Sequence, residues 1–374
     1  MKSSGLYIHV PFCKKKCSYC SFYSVKSNDR TRFSFGKALL SELEQRARDN
    51  IIGTIYAGGG TPTLLPPEFW SEFLTLVDDI ADTSEIHECT IETNPGAVTE
   101  RDLFTLRQIG FNRLSIGIQS FSDVALVTLG RIHNSTRAVE TFRSARKAGF
   151  GNISIDLMYG IPKQTLKDWL EDLKRIEDLA PEHISCYELS VEEGTPIAKA
   201  INAGELFKPE EETCREMYFT ADEILRELGY FHYEVSNYTR GKSFISRHNS
   251  SYWDRTPYIG LGPSAHSFNG RNTRSWNVAS IEEYLRLMKS GKSSVAGREE
   301  IACEQVALEA VMLGLRCSIG FDLEKIETET GVSINRDHLN AMIENNRVIL
   351  SGSEFVPTVE GMLYADGDSI NLVG

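Results

Sequence analysis

The sequence lacks a long apolar segment. No window of the 374 residues approaches the roughly 18 apolar residues that a membrane-spanning helix requires. No apolar leader precedes the first strand-like segment at Leu6, so the pattern of a secretory signal peptide is also missing. These two absences predict a cytoplasmic protein without a transmembrane segment.

Basic residues are in the minority. The chain has 40 Lys and Arg against 52 Asp and Glu, which gives a net charge of −12. Affinity for a nucleic-acid backbone depends on clustered basic side chains that displace counterions, and this charge balance argues against such a surface. We therefore expect no nucleic-acid partner.

Cysteine is sparse. Eight cysteines in a chain of this length are too few for a disulfide-stabilised secreted scaffold. Five stand singly within strand or helix patterns and are predicted to be buried apolar residues: Cys89, Cys186, Cys214, Cys303 and Cys317. The other three form a C-x-x-x-C-x-x-C run, namely Cys13, Cys17 and Cys20. In a reducing compartment such a cluster indicates metal binding or redox chemistry.

What the sequence does contain is an alternation of short β-type runs with amphipathic helical patterns. The predicted strands are 6–12, 54–57, 89–93, 113–119, 152–158 and 184–189. Helical patterns separate them, which predicts an α/β fold with six parallel βα units. We therefore predict a partial (β/α)6 barrel over residues 1–190 and an extension of that barrel over residues 191–297.

The last part of the chain, residues 298–374, has a different pattern. Three helical segments are followed by two short apolar runs around Val348 and Met362, which predicts a small winged-helix-like module. This segment has five Lys and Arg against fourteen Asp and Glu. An excess of acid argues against the DNA-reading role that many such modules have.

The cysteine cluster follows the first predicted strand, at the face where α/β barrels carry their active sites. Three thiolates can bind three irons of a cubane iron–sulfur cluster and leave the fourth iron open to a small ligand. A structural zinc site is the alternative, and it needs a fourth protein ligand, for which His9 is the candidate. The spacing of His9 is not typical of zinc ligands, so the pattern favours the cluster.

Further polar residues fall at other strand ends. Gly58, Gly59, Gly60 and Thr61 follow the second strand, and three successive glycines let backbone groups approach a ligand closely. Glu92, Gln119 and Asp156 interrupt apolar patterns where later strands end. Arg131 could pair with a carboxylate through two hydrogen bonds. Singly, each of these residues could be a capping group, but together they predict a ligand site.

These motifs resemble those of the radical S-adenosylmethionine (SAM) superfamily, in which three cysteines hold a 4Fe-4S cluster whose fourth iron binds SAM. The resemblance implies that Gly59, Gly60 and Thr61 receive the methionyl amino group. It implies that Glu92 and Arg131 address the carboxylate region of SAM, whereas Gln119 and Asp156 address the ribose. Tyr7 and the backbone near Tyr19 are expected to complete the pocket.

Several longer sequence segments resemble those of the oxygen-independent coproporphyrinogen III oxidase family, and in particular those of its heme-chaperone branch. The oxidase has a further cysteine two residues after the third, where this chain has Phe22, and an N-terminal extension where only about five residues precede the first strand here. The stretch His248-Asn249-Ser250-Ser251-Tyr252-Trp253 matches the heme-associated motif of the chaperone branch. An imidazole can bind heme iron, although His248 could instead be a structural histidine.

The resemblance therefore implies a chaperone that binds a 4Fe-4S cluster, SAM and heme. It would deliver heme to acceptors such as respiratory membrane proteins, with possible peripheral contact with the membrane. Two alternatives remain open at this stage. One is radical decarboxylation of coproporphyrinogen III, and the other is a metal-stabilised binding module without redox chemistry.

Overall fold

The computed structural model describes residues 3–373, which contain a twelve-stranded sheet and a three-stranded sheet. The strands are β1 (Ser4–Val10), β2 (Ile52–Gly59), β3 (Glu88–Thr93), β4 (Arg113–Gln119), β5 (Ile153–Tyr159), β6 (His183–Glu188), β7 (Phe231–Glu234), β8 (Asn237–Thr239), β9 (Tyr258–Leu261), β10 (His266–Phe268), β11 (Thr273–Asn277), β12 (Val295–Glu300), β13 (Phe321–Asp322), β14 (Val348–Ser351) and β15 (Glu354–Pro357). The helices are α1 (Asp29–Ala47), α2 (Pro67–Ile80), α3 (Glu100–Gln108), α4 (Asp123–Thr128), α5 (Ser135–Lys147), α6 (Leu166–Leu179), α7 (Pro196–Asn202), α8 (Glu211–Glu227), α9 (Arg247–Trp253), α10 (Ile281–Lys289), α11 (Cys303–Gly314), α12 (Leu323–Thr330), α13 (Arg336–Glu344), α14 (Val359–Leu363) and α15 (Ala365–Val373).

The first six strands lie side by side in chain order and are parallel. One or two helices connect each strand to the next, so all six carboxyl ends meet at one edge of the sheet. The predicted α/β fold with six parallel βα units is confirmed. β1 ends at Val10 rather than at residue 12, because Pro11 has no N–H to donate to a neighbouring strand.

The predicted extension is divided between the two edges of this parallel core. β7 and β8 form an antiparallel hairpin beside β6, whereas β9 to β12 lie beyond β1 at the opposite edge. β9 pairs parallel with β1, so β1 has a neighbour on each side. The predicted division at 297/298 falls inside β12, whose residues pair with β11 on both sides of that point.

The C-terminal module consists of α11 to α15 and the small sheet, in the order β13-β15-β14, around its own apolar core. The apolar run near Val348 forms β14. Its partner strand is β15 (Glu354–Pro357), and the run around Met362 is helical instead. Thr358 starts that helix, because its hydroxyl accepts a hydrogen bond from Gly361 N at 3.0 Å.

The main core lies between the parallel sheet and its surrounding helices, with Trp70, Phe111 and Trp169 among its largest members. Buried polar side chains are also present, including the nearly inaccessible Arg113 and His183. Within residues 3–373, no helix has both the length and the apolar character needed to cross a membrane.

Candidate functional site

The three clustered cysteines lie on the loop that follows β1. Backbone hydrogen bonds hold this loop in place: Val25 N donates to Pro11 O at 2.7 Å, and Ser18 N donates to Leu129 O at 3.0 Å. All three thiols are partly exposed, and all three line one cavity of about 550 Å³. Burial raises the pKa of Cys13 and that of Cys20, so both thiols favour their protonated form until a cation binds.

The cavity opens at the carboxyl ends of the parallel strands. It collects most of the residues that the sequence predicted for SAM: Tyr19, Gly59, Gly60, Thr61, Glu92, Gln119, Arg131 and Asp156. Two predicted residues do not line it. The hydroxyl of Tyr7 is paired with Nδ1 of His9 at 3.0 Å, and His248 lies elsewhere in the core. The fold thus brings residues from four strands, from the segment after α4 and from the cysteine loop to one place.

The glycine loop lies directly against the backbone of the cysteine loop. Gly60 N donates to Val10 O at 2.8 Å, and a Cβ on Gly60 would come within 2.6 Å of Phe12 O. Gly59 has a φ of 97°, in the left-handed region that favours glycine. A side chain at either position would push the two loops apart, so the glycines keep the floor of the cavity compact.

Glu92 is the best-held carboxylate of the cavity. Its Oε1 accepts a hydrogen bond from the Tyr56 hydroxyl at 2.7 Å, and its Oε2 accepts one from Gly59 N at 3.2 Å. Burial raises its pKa to about 7, while those two hydrogen bonds act in the opposite direction. Burial likewise raises the pKa of Asp156, and the Arg113 guanidinium lowers the pKa of both groups. Both carboxylates would therefore gain from a cationic or hydrogen-bond-donating ligand.

Arg131 is held by Asn94, by the Gly117 carbonyl and by one of the clustered cysteines. Its Nη2 donates to Asn94 Oδ1 and to Gly117 O, each at 2.5 Å, and its Nη1 lies 3.3 Å from the Cys17 sulfur. Asn94 also donates to the Thr61 hydroxyl at 2.8 Å. The guanidinium thus faces the cysteine loop. A ligand carboxylate would reach Arg131 by replacing one of these acceptors.

Asn94 and Tyr56 are functional candidates that sequence reasoning missed. Asn94 directly follows β3, two residues after Glu92, so its place at a strand end was a usable signal. Tyr56 precedes the glycine loop but reads as an ordinary apolar residue of β2. Its role becomes visible only when its hydroxyl meets Glu92.

His248 is fully buried on α9 and does not face the cavity. Its Nδ1 is hydrogen-bonded to the Thr54 hydroxyl and its Nε2 to the Tyr252 hydroxyl, both at 2.8 Å. Burial, and then the charge of Arg113, lower its pKa to about 3, so the ring is neutral. With both nitrogens paired, His248 could bind iron only after giving up one of these partners. The heme role of this residue stays a prediction.

The donor set at the cavity can be compared with what a cluster requires. Within residues 3–373, no three His, Cys, Asp or Glu side chains converge as ligands of a single metal ion. In a cubane cluster each cysteine binds a different iron, so the thiols are spread around the cluster rather than directed at one point. Three thiols distributed along one loop beside an open cavity fit that requirement.

Comparisons with known proteins show the family to which this chain belongs. The family profile of the Radical SAM superfamily matches residues 7–176, and that of the HemN C-terminal domain matches residues 302–364. The fold resembles that of coproporphyrinogen III oxidase (HemN) from Escherichia coli, with a TM-score of 0.84 at 22% identity, over 99% of this chain and 90% of that one. The chain is a radical SAM superfamily protein with a HemN-type C-terminal domain.

Sequence relatives show which family within the superfamily this chain belongs to. The heme chaperone HemW of Mycobacterium tuberculosis (strain H37Rv) is 32% identical over 376 residues, which cover 99% of this chain and 95% of that protein. The heme chaperone HemW of Bacillus subtilis (strain 168) is 33% identical over 345 residues, or 90% of this chain and 88% of that protein. The chain belongs to the HemW family.

Proposed function

We propose that this protein is a heme chaperone that carries a 4Fe-4S cluster and SAM in the cavity at the strand ends. It binds heme and passes it to acceptor proteins such as respiratory membrane proteins. The observation that carries the proposal is the near full-length similarity to proteins named as heme chaperones. We propose a cytoplasmic protein that contacts a membrane only peripherally, when it meets its acceptor.

In this proposal Cys13, Cys17 and Cys20 are the cluster ligands. When bound, such a cluster supplies an iron with an open coordination position and an electron for SAM. The chain's own residues bind and orient SAM, with Gly59, Gly60 and Thr61 at the amino group and Glu92 and Arg131 at the methionyl end. Gln119 and Asp156 hold the ribose and Tyr19 covers the pocket, whereas Tyr7 is paired with His9 and does not line the cavity.

The heme step is tested by titrating hemin into the cluster-loaded protein and recording the Soret band. We expect saturable binding with a shifted band in the wild type. In His248→Ala the shift is expected to disappear if His248 leaves Tyr252 to bind iron. His87→Ala, which removes an exposed histidine, is the matched control. A wild-type protein with no heme-dependent Soret shift at high hemin concentration would refute the chaperone proposal.

The Tyr252→Phe variant gives a second test of whether His248 is the iron ligand, for the case that His248→Ala does not change heme binding. Removing the Tyr252 hydroxyl leaves Nε2 of His248 without its partner. If His248 is the iron ligand, heme binding should tighten in Tyr252→Phe. Unchanged heme affinity in both variants would mean that heme binds without His248.

A second candidate function is the decarboxylation of coproporphyrinogen III, because the fold matches that of the oxidase over nearly the whole chain. Phe22 argues against it, since the oxidase has a cysteine there and Phe22 is an exposed residue at the cavity wall. The test is to incubate coproporphyrinogen III anaerobically with cluster-loaded protein, SAM and a reductant, and to analyse the porphyrinogen by mass spectrometry. We expect unchanged substrate, while repeated loss of carbon dioxide would make the protein an oxidase.

A further inference from the structure

A second cavity, of about 540 Å³, lies where the barrel meets the C-terminal module. Backbone hydrogen bonds join the two parts beside it: Val235 N donates to Arg316 O at 2.8 Å, and Ser318 N donates to Tyr233 O at 3.0 Å. The cavity shares a small part of its wall with the first one, at Tyr187, Glu188 and Ser190. None of the residues expected to bind the cluster or SAM lines it.

Buried polar atoms without partners line this second cavity. Glu234, at the end of β7, is 1% exposed, and neither of its carboxylate oxygens has a partner of good hydrogen-bond geometry, although the Asn237 amide and the Ser236 N–H make weaker contacts with it. The Asn237 Oδ1 and the Trp253 Nε1 are also buried and unpartnered. A buried polar group without a partner is destabilising, so several at one place indicate that ordered water or a bound ligand completes their hydrogen bonds.

The charges around the cavity favour a cation. Its wall has three carboxylates, Glu188, Glu234 and Asp366, against one guanidinium, Arg316. Arg316 is paired with Asp366, and Glu188 is paired with Lys208 at 3.7 Å, so within the part of the chain that the structure describes Glu234 is the one carboxylate of the wall without an ion-pair partner. Burial raises the pKa of Glu234 to about 7, although the nearby Asn237 amide, Ser236 N–H and Arg316 act in the opposite direction. A bound cation would offset the desolvation of the Glu234 carboxylate.

The remaining walls are largely aromatic, with contributions from Tyr159, Tyr218, Tyr252 and Trp253. Aromatic faces attract cations, most strongly where water is excluded. The unpartnered atoms are three acceptors and one donor, so the complementary ligand is rich in hydrogen-bond donors. A ligand that presents carboxylates, as heme does, would instead face the Glu188, Glu234 and Asp366 carboxylates.

We propose that the second cavity binds a small organic cation, an amine, amidine or guanidine on an apolar or aromatic body. The Glu234 carboxylate accepts two charge-assisted hydrogen bonds from it, and Asn237 Oδ1 accepts a third. The aromatic walls enclose the rest of the ligand. No residue expected to bind SAM lines this site, but its wall includes Asn249, Tyr252 and Trp253 of the heme-associated motif, so competition with hemin is part of the test.

Calorimetric titration of the full chain with three isosteric probes tests the proposal: benzamidine, neutral benzamide and anionic benzoate. Benzamidine is expected to bind at least tenfold more tightly than benzamide, and benzoate is expected not to bind. Glu234→Gln should weaken benzamidine binding at least tenfold and leave SAM binding unchanged. Glu227→Gln, at an exposed glutamate of α8, is the matched control and should bind benzamidine like the wild type.

Arg316→Gln keeps the proposal falsifiable if Glu234→Gln fails to fold. Removing this positive charge should tighten benzamidine binding about threefold, a gain that misfolding cannot produce. Preferred binding of benzoate, equal binding of benzamidine and benzamide, or displacement of benzamidine by hemin would overturn the proposal. The proposal would also be overturned if none of the three probes bound, because water would then supply the hydrogen bonds of the buried groups.

Discussion

The two cavities have almost the same volume, about 550 and 540 Å³, but they are built in opposite ways. The first takes its side chains from consecutive parallel strands and from the loop after β1. Its polar groups largely hold one another, as Arg131 holds Asn94 and Glu92 accepts from Tyr56. The second takes its side chains from distant segments and leaves the Glu234 carboxylate unpaired.

This difference determines how each cavity responds to a ligand. Paired polar groups are already fixed in position, so a cofactor that enters the first cavity meets a preorganised site. Unpaired groups make the second cavity less stable when it is empty, and they increase the gain on binding a complementary ligand. If this difference holds, the first cavity depends on the cysteine loop and the second depends on Glu234.

The largest expected effect is the loss of the cluster in Cys17→Ser. The cysteine sulfur would be replaced by a hydroxyl, which is a poor iron ligand, so iron and acid-labile sulfide per chain should fall nearly to background after anaerobic reconstitution. Cys303→Ser is the control and should keep the wild-type content, because Cys303 of α11 lies apart from the loop and is exposed; the prediction that it is buried is wrong. Retention of iron and sulfide in Cys17→Ser would contradict the assignment of the loop.

The second prediction concerns stability and pH in the second cavity. Glu234 keeps its proton up to about pH 7 in the folded chain, whereas its ordinary pKa is 4.5. Between these pH values the folded state binds more protons, so the free energy of unfolding falls as pH rises through this window. Glu234→Gln removes that loss and should be more stable than the wild type at pH 8, by up to about 3 kcal/mol.

Chemical denaturation of both proteins at pH 5 and pH 8 measures this difference. The stability advantage of Glu234→Gln should be small at pH 5 and large at pH 8. The same advantage at both pH values would show that the Glu234 carboxyl is not the group that titrates.

The third prediction returns to the first cavity. Glu92→Gln keeps the shape of the side chain but removes its charge, so SAM binding should weaken about tenfold, or about 1.4 kcal/mol, with the cluster retained. Calorimetric titration with SAM measures this, and Glu68→Gln on the exposed side of α2 is the control. Wild-type affinity in Glu92→Gln would exclude a direct contact between this carboxylate and SAM.

The smallest expected effect is at the surface of the junction between barrel and module. Arg215 of α8 pairs with Glu360 of α14 at 3.1 Å, and both side chains are more than one-third exposed. Because solvent screens such pairs, Glu360→Gln should change the free energy of unfolding by less than about 1 kcal/mol. A larger loss of unfolding free energy would mean that this ion pair, rather than the backbone contacts beside the second cavity, holds the module against the barrel.

The sequence predicted the parallel core and the residues of the first cavity because both follow from local order along the chain. Each βα unit brings its strand end to the same edge, so Glu92, Gln119 and Asp156 could be grouped before any contact was known. The pairing of β9 with β1 could not be predicted in this way, because the partners are about 250 residues apart. The partners of His248 and the isolation of Glu234 depend on the same kind of distant contact.

The position of β1 also has a consequence for the order of synthesis. This strand carries the cysteine loop at its carboxyl end, yet one of its two neighbours, β9 (Tyr258–Leu261), is among the later strands of the chain. While the ribosome is still adding the residues before β9, one edge of β1 remains without its hydrogen-bond partner. The strand that carries the cysteine loop therefore gains its second neighbour only after more than two-thirds of the polypeptide has been made.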